Sequence, residues 1–150
     1  MPPNDNMVGV GEGSVCTSCH VSDKGFAVAE TMYAKLNGLQ TGINNATEIL
    51  DRAEHAGMEV SRPKFELREA KDALTQARVL VHTSSLDEVN SAVDPGMGIA
   101  AKSYQSGEAA FSELNYRRKG LAVSLVFILF LAILVYLKLR QIESKESAAE

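Results

Sequence analysis

The chain has 150 residues, 45% of them hydrophobic and 23% charged, with a formal net charge of −4. That length holds one domain with attachments, and both cysteines lie in one short motif, so no disulfide framework is implied. The acidic balance sits upstream: residues 1–115 hold nine Lys/Arg against sixteen Asp/Glu, a net −7, which excludes nucleic acid as the expected partner and favours basic ones.

Met1 to Val15 is rich in Pro, Asn and Gly and reads as loop. It has neither the basic start nor the apolar run of a secretory signal. Cys16-Thr17-Ser18-Cys19-His20 follows. In a Cys-x-x-Cys-His motif two thiols can add to the vinyl groups of haem, and the adjoining histidine can bind the iron from one face. The pattern therefore reads as attachment of one c-type haem, with Cys16 and Cys19 as covalent anchors and His20 as proximal ligand. Gly11, Gly13 and Ser14 give an open loop around it. Three other readings compete. Zinc needs four ligands, and Cys16, Cys19 and His20 supply three, with His55 or His82 as a remote fourth. A thioredoxin-type redox pair needs a βαβ context, which no segment suggests. A plain loop with two free thiols is the last. Haem attaches outside the cytoplasm, so the missing signal pattern implies either a start further upstream or the end of a longer protein.

A helix is expected after Asp23. Ala29, Met32, Leu36, Leu39, Ile43, Ala46, Leu50 and Ala53 alternate spacings of three and four, an unbroken heptad seam. Ser22 or Asp23 can cap its start, and Gly57 can end it. Gly38 and Gly42 each cost a free helix about 1 kcal/mol, and leave room for another helix or a flat cofactor. Asn45-Ala46-Thr47 matches a glycosylation sequon but falls mid-helix, where chance explains it. Ser61, with Pro63 behind it, opens a second helix whose seam is Leu67, Ala70, Leu74, Ala77 and Val81. The pattern fades near Val89, and Asp94-Pro95-Gly96 reads as a break. Asp94 is expected to cap a third helix with Pro95 in its first turn and a seam of Ala100, Tyr104, Gly107, Phe111 and Leu114.

Gly120 to Leu137 reads GLAVSLVFILFLAILVYL, without a charge or a proline. Eighteen such residues rise about 27 Å as a helix, enough for a hydrocarbon core with little tilt. With no helix stop before Gly120, the third helix is expected to run on into the membrane. The fold class is therefore all-α: an up-down-up, coiled-coil-like three-helix bundle whose last helix continues into a single C-terminal transmembrane helix. Its parts are the haem-attachment loop at 1–25, the bundle at 26–119, the transmembrane helix at 120–138 and a charged cytoplasmic tail at 139–150. Arg117, Arg118 and Lys119 before the span nearly balance Lys138, Arg140 and Lys145 after it, so flanking charge does not orient it. Haem attachment does, by requiring the head outside.

GSVCTSCH at 13–20, AEHAGMEV at 53–60, EAKDALTQARVLVH at 69–82 and ELNYRRKGLAVSL at 113–125 resemble the C-terminal part of bacterial membrane-anchored multihaem c-type cytochromes. The likeness spans most of residues 13–140, with CxxCH as its one specific motif. It implies electron transfer on the periplasmic side of the inner membrane, redox partner proteins that include other multihaem cytochromes, further CxxCH motifs upstream and a signal sequence. It also implies bis-histidine ligation, for which His82 is the candidate distal ligand. His55 is expected to be exposed, at the end of helix one away from the motif. His82 is expected about ten residues below the tip of the bundle, either half-buried and hydrogen-bonded or ligating, with Gly38 and Gly107 leaving space for the macrocycle beside it. Met97, expected nearer the tip, is the runner-up, and Met58 is expected to pack. No paired carboxylates or nucleophile–base set is evident, so no catalysis is expected. The rival function is a membrane-anchored helical scaffold or signalling stalk with CxxCH as a minor metal or thiol site.

Overall fold

The computed structural model describes residues 24–146, with side chains from 27 to 141. Cys16, Cys19 and His20 lie outside the described residues, as do the Ser22 and Asp23 caps. The described residues are all-helical: α1 (Lys24–His55), α2 (Ser61–Leu80), a 3-10 turn (Val81–Thr83) and α3 (Leu86–Glu146).

The expected seam of α1 is its packed face. Met32, Leu36, Leu39, Ile43, Ala46, Leu50 and Ala53 are all buried, and Ala29 at the margin is half-buried. α1 closes in a Schellman motif: Met58 N–H donates to Ala53 O and Gly57 N–H to Glu54 O, with Gly57 at φ 84. α2 starts at Ser61 and buries Leu67, Ala70, Leu74 and Ala77. Glu59 meets one of its orphan donors, since its carboxylate accepts from Ser61 N–H at 2.9 Å.

α3 begins nine residues earlier than the sequence suggests. Ser84 turns the chain at φ 57, and the Ser85 hydroxyl accepts from Glu88 N–H at 3.4 Å. Ser85-Leu86-Asp87-Glu88 has the spacing of a capping box, a stronger start signal than Asp94. Pro95 lies inside the helix. The buried face of α3 supplies the reason: Val89, Ala92, Val93, Gly96 and Ala100 face the other helices on both sides of the proline. Their packing outweighs one missing backbone hydrogen bond. The seam then continues through Ser103, Gly107 and Ala110. Tyr104 is 38% exposed and Phe111 half-buried, so the small residues face the core and the aromatics flank it.

Pairs between the elements follow ordered series. From α1 to α2, the Arg78 guanidinium donates to Gln40 at 3.1 Å, and Lys64 bridges Asp51 and Glu54, both at 2.6 Å. From α1 to α3, Lys35 pairs with Asp94 at 3.3 Å, and Arg52 lies 5.5 Å from the Phe111 ring centroid. From α2 to α3, Glu66 binds Lys102 at 3.0 Å, and the buried Ser103 hydroxyl donates to Pro63 O at 3.4 Å. Gly107 allows close approach: a Cβ there would lie 2.6 Å from Ile49 Cγ2.

The chain divides into two compact units at Phe111/Ser112. In the second, the large apolar residues from Leu121 to Leu139 are all exposed. The most apolar eighteen-residue window of α3 has mean hydropathy 2.8, and none of it is buried. By length and composition this helix can cross a membrane.

Candidate cofactor site

The described residues position every candidate ligand downstream of the motif. His82 sits in the 3-10 turn between α2 and α3, where it is exposed rather than half-buried. The turn forms because α2 gives way at Val81. Ser84 N–H donates to Val81 O, and Thr83 Oγ1 both donates to Leu80 O at 2.8 Å and accepts from Ser85 N–H at 3.3 Å. With α3 starting at Leu86, His82 lies at the turn itself and not ten residues below it.

Met97 moves the other way. It lies eleven residues into α3, about 17 Å along the axis from Leu86. It is 41% exposed and faces α1, with its Sδ 3.9 Å from where a Cβ on Gly42 would stand. Met97, Tyr104, Ala100, Ala101 and Gly42 line an open groove between α1 and α3. Met58 is buried beside the α1–α2 turn and serves packing, as expected. His55 is exposed at the last turn of α1, with Nδ1 2.6 Å from Asp51 O.

The expected space for a macrocycle beside Gly107 is absent, because Ile49 fills it. Beside Gly38 the space is open, with no atom within 4 Å of a Cβ placed there. The sequence reading also missed Asn90, in the second turn of α3. Its buried side-chain oxygen has no hydrogen-bond partner among the described residues. An unpaired acceptor of this kind is costly unless a donor reaches it. Its sequence signal is faint: a polar residue next to Val89, where the apolar pattern of the sequence fades.

Charge on the first unit is arranged around two lysines. Hydrogen bonds from Lys64 hold the Asp51 carboxyl below the usual carboxylate range, and the same contacts raise the Lys64 ammonium above its ordinary value. Lys102 and Arg62 hold Glu66 down, and the Ser61 contacts hold Glu59 down. Among the described residues no three His, Cys, Asp or Glu side chains gather in a way that could hold a metal ion. Comparison of the chain with protein-family models, curated proteins and solved structures finds no match.

Proposed function

We propose that this protein transfers electrons through one covalently attached c-type haem carried on a membrane-anchored helical head. The observation that carries the reading is Cys16-Thr17-Ser18-Cys19-His20, four residues ahead of a helical hairpin. Cys16 and Cys19 would hold the haem and His20 its iron, and the haem supplies one-electron chemistry when bound. His82 is the proposed distal ligand: it is an exposed imidazole on a turn, free of the packing constraints that hold Met58.

The head is read as an up-down-up bundle. Partners of α2 descend as those of α1 ascend (Arg78 with Gln40, Lys64 with Asp51 and Glu54), while partners of α3 ascend with α1 (Asp94 with Lys35, Phe111 with Arg52). In this reading residues 1–25 are the attachment loop, 26–119 the bundle, 120–138 the membrane span and 139–150 a cytoplasmic tail. The head lies on the periplasmic side of the inner membrane and exchanges electrons with redox proteins, other multihaem cytochromes among them.

The test is direct. Cys16→Ala and Cys19→Ala should each lower haem incorporation sharply, read by the Soret band and by haem staining on a denaturing gel. Unchanged staining with both cysteines replaced would end the proposal. One observation favours a second reading, a helical scaffold or signalling stalk: α3 runs without interruption from Leu86 to Glu146. Absence of covalent haem in protein from its own host, with the head folded, would select it.

A further inference from the structure

From Leu114 to Ile142 the chain contains Arg117, Arg118, Lys119, Lys138 and Arg140 and no acidic residue. Upstream, Lys35, Arg62, Lys64 and Lys102 have carboxylate partners, and Arg52 and Arg68 lie over aromatic rings. Within 117–119 only Arg117 does, through Glu113. Arg118 and Lys119 have no carboxylate partner among the described residues. On a helix, residues 117, 118 and 119 point about 100° apart, so their charge surrounds much of the helix. Tyr116, one residue before them, is 80% exposed.

The spacing to the second basic pair is informative. Lys119 and Lys138 are nineteen residues apart, about 28 Å along a helix, close to the roughly 30 Å of a hydrocarbon core. Tyr116 precedes the apolar stretch and Tyr136 lies at its far end, near the interfacial positions that tyrosine favours. An apolar span of that length sets both basic groups at headgroup level. There, unpaired cations beside a phosphate layer prefer lipids of net negative charge.

Resting on the membrane span proposed above, we propose that Arg118 and Lys119, with Tyr116 beside them, form a collar that binds the phosphate of an anionic phospholipid. A guanidinium offers forked donors to phosphate oxygens and the ammonium adds a second charge. A zwitterionic lipid presents the same phosphate together with its own cation, which the collar repels. The collar therefore selects by headgroup net charge.

The full chain in detergent micelles is titrated with phosphatidylglycerol, phosphatidylcholine or inorganic phosphate, and bound lipid is counted by native mass spectrometry. Wild type should retain phosphatidylglycerol about tenfold over phosphatidylcholine, at the scale of one to two unshared charges. R118Q/K119Q should abolish that preference and leave the circular-dichroism spectrum unchanged. K138Q/R140Q, which removes the two cations at the other end and leaves the run of three at 117–119, should lower it less than R118Q/K119Q does. Equal retention of the two lipids, or a preference that survives R118Q/K119Q, would overturn the collar. Displacement of the lipid by millimolar inorganic phosphate would instead identify a plain anion site and also overturn it. Alkaline carbonate extraction from vesicles separates the two layers of inference. Release of the chain would remove the span itself, whereas a retained chain without lipid preference would remove only the collar.

Discussion

Gly107→Ala tests the close approach of α3 to α1. Inside an exposed helix, alanine in place of glycine stabilises by about 1 kcal/mol. Gly98 is such a position, with no atom within 4 Å of an added Cβ, so Gly98→Ala should raise stability by up to about that amount. At Gly107 the added Cβ would meet Ile49 at 2.6 Å from Cγ2, 3.1 Å from Cγ1 and 3.3 Å from Cβ. The contact with Ile49 Cβ reaches close to the backbone, so a rotamer change cannot relieve it fully and the helices must separate. Overpacking of that kind costs about 1–3 kcal/mol, which offsets the propensity gain and leaves a net loss of up to about 2 kcal/mol. For a head of this size each kcal/mol moves the thermal midpoint by roughly 4–8 °C. The assay is thermal unfolding followed by circular dichroism at fixed detergent, with wild type, Gly98→Ala, Gly107→Ala, Ile49→Ala and the Ile49→Ala/Gly107→Ala pair. Gly107→Ala should unfold below Gly98→Ala. The double variant should show a favourable coupling of about 1 kcal/mol or more, because Ile49→Ala removes the clashing atoms. A Gly107→Ala chain as stable as Gly98→Ala, or a pair that is simply additive, would refute the packing.

Acid should destabilise the head. Asp51, Glu59 and Glu66 have depressed folded pKa values, so their stabilisation is complete above their unfolded values and is lost as pH falls through the folded ones. The thermal midpoint should drop below about pH 4, and Lys64→Met should flatten the part that Asp51 contributes. Lys64 has the opposite sign, and its share is lost only as pH rises above the ordinary lysine range. Pro95→Ala restores the backbone donor that would face Ser91 O and should stabilise α3 by about 1–3 kcal/mol; a lowered midpoint would show that the proline is required by its neighbours. His82→Ala in the haem-loaded protein should move the spectrum from low-spin toward high-spin, while Met97→Ala leaves it unchanged; the reverse pattern would assign the ligand to Met97.

The α1 and α2 faces were legible because large apolar residues mark them without interruption: Met32, Leu36, Leu39, Ile43 and Leu50 leave one helical face as the only economical burial. Gly57 was legible because a left-handed end position is close to unique to glycine. α3 was misread at both levels. Asp94-Pro95-Gly96 looked like a break because proline is a local signal, whereas the burial of Val89, Val93 and Ala100 is a sum over tertiary contacts that no local signal reports. Its seam was read one position late, at Tyr104 and Phe111, because aromatics draw the eye to a core. The space between closely spaced helices admits Gly107, as the seam expects, with Ser103 and Ala110 in place of Tyr104 and Phe111, and Phe111 serves the rim under Arg52. Of the candidate site, the CxxCH reading rests on the motif alone, which lies outside the described residues, while the placement of His82 and Met97 depends on where α3 starts.

That starting point also orders the proposed ligands, through the reach of the chain. The Gln40–Arg78 hydrogen bond gives a common level on α1 and α2. From it, Lys24 lies sixteen residues back along α1, about 24 Å, and His82 lies four residues on, about 6 Å. The axial gap between the two is therefore about 18 Å. His20 is four residues before Lys24 and can lie at most about 14 Å from it. Two imidazoles and one iron can bridge the remaining few ångströms, provided the segment folds back along the hairpin. Met97 faces Gly42, eighteen residues into α1 and about 27 Å from Lys24. The shortfall there is about 13 Å, more than a histidine, an iron and a thioether make up. If His20 holds a haem iron as proposed, the reach of the chain favours His82 over Met97 as the second ligand.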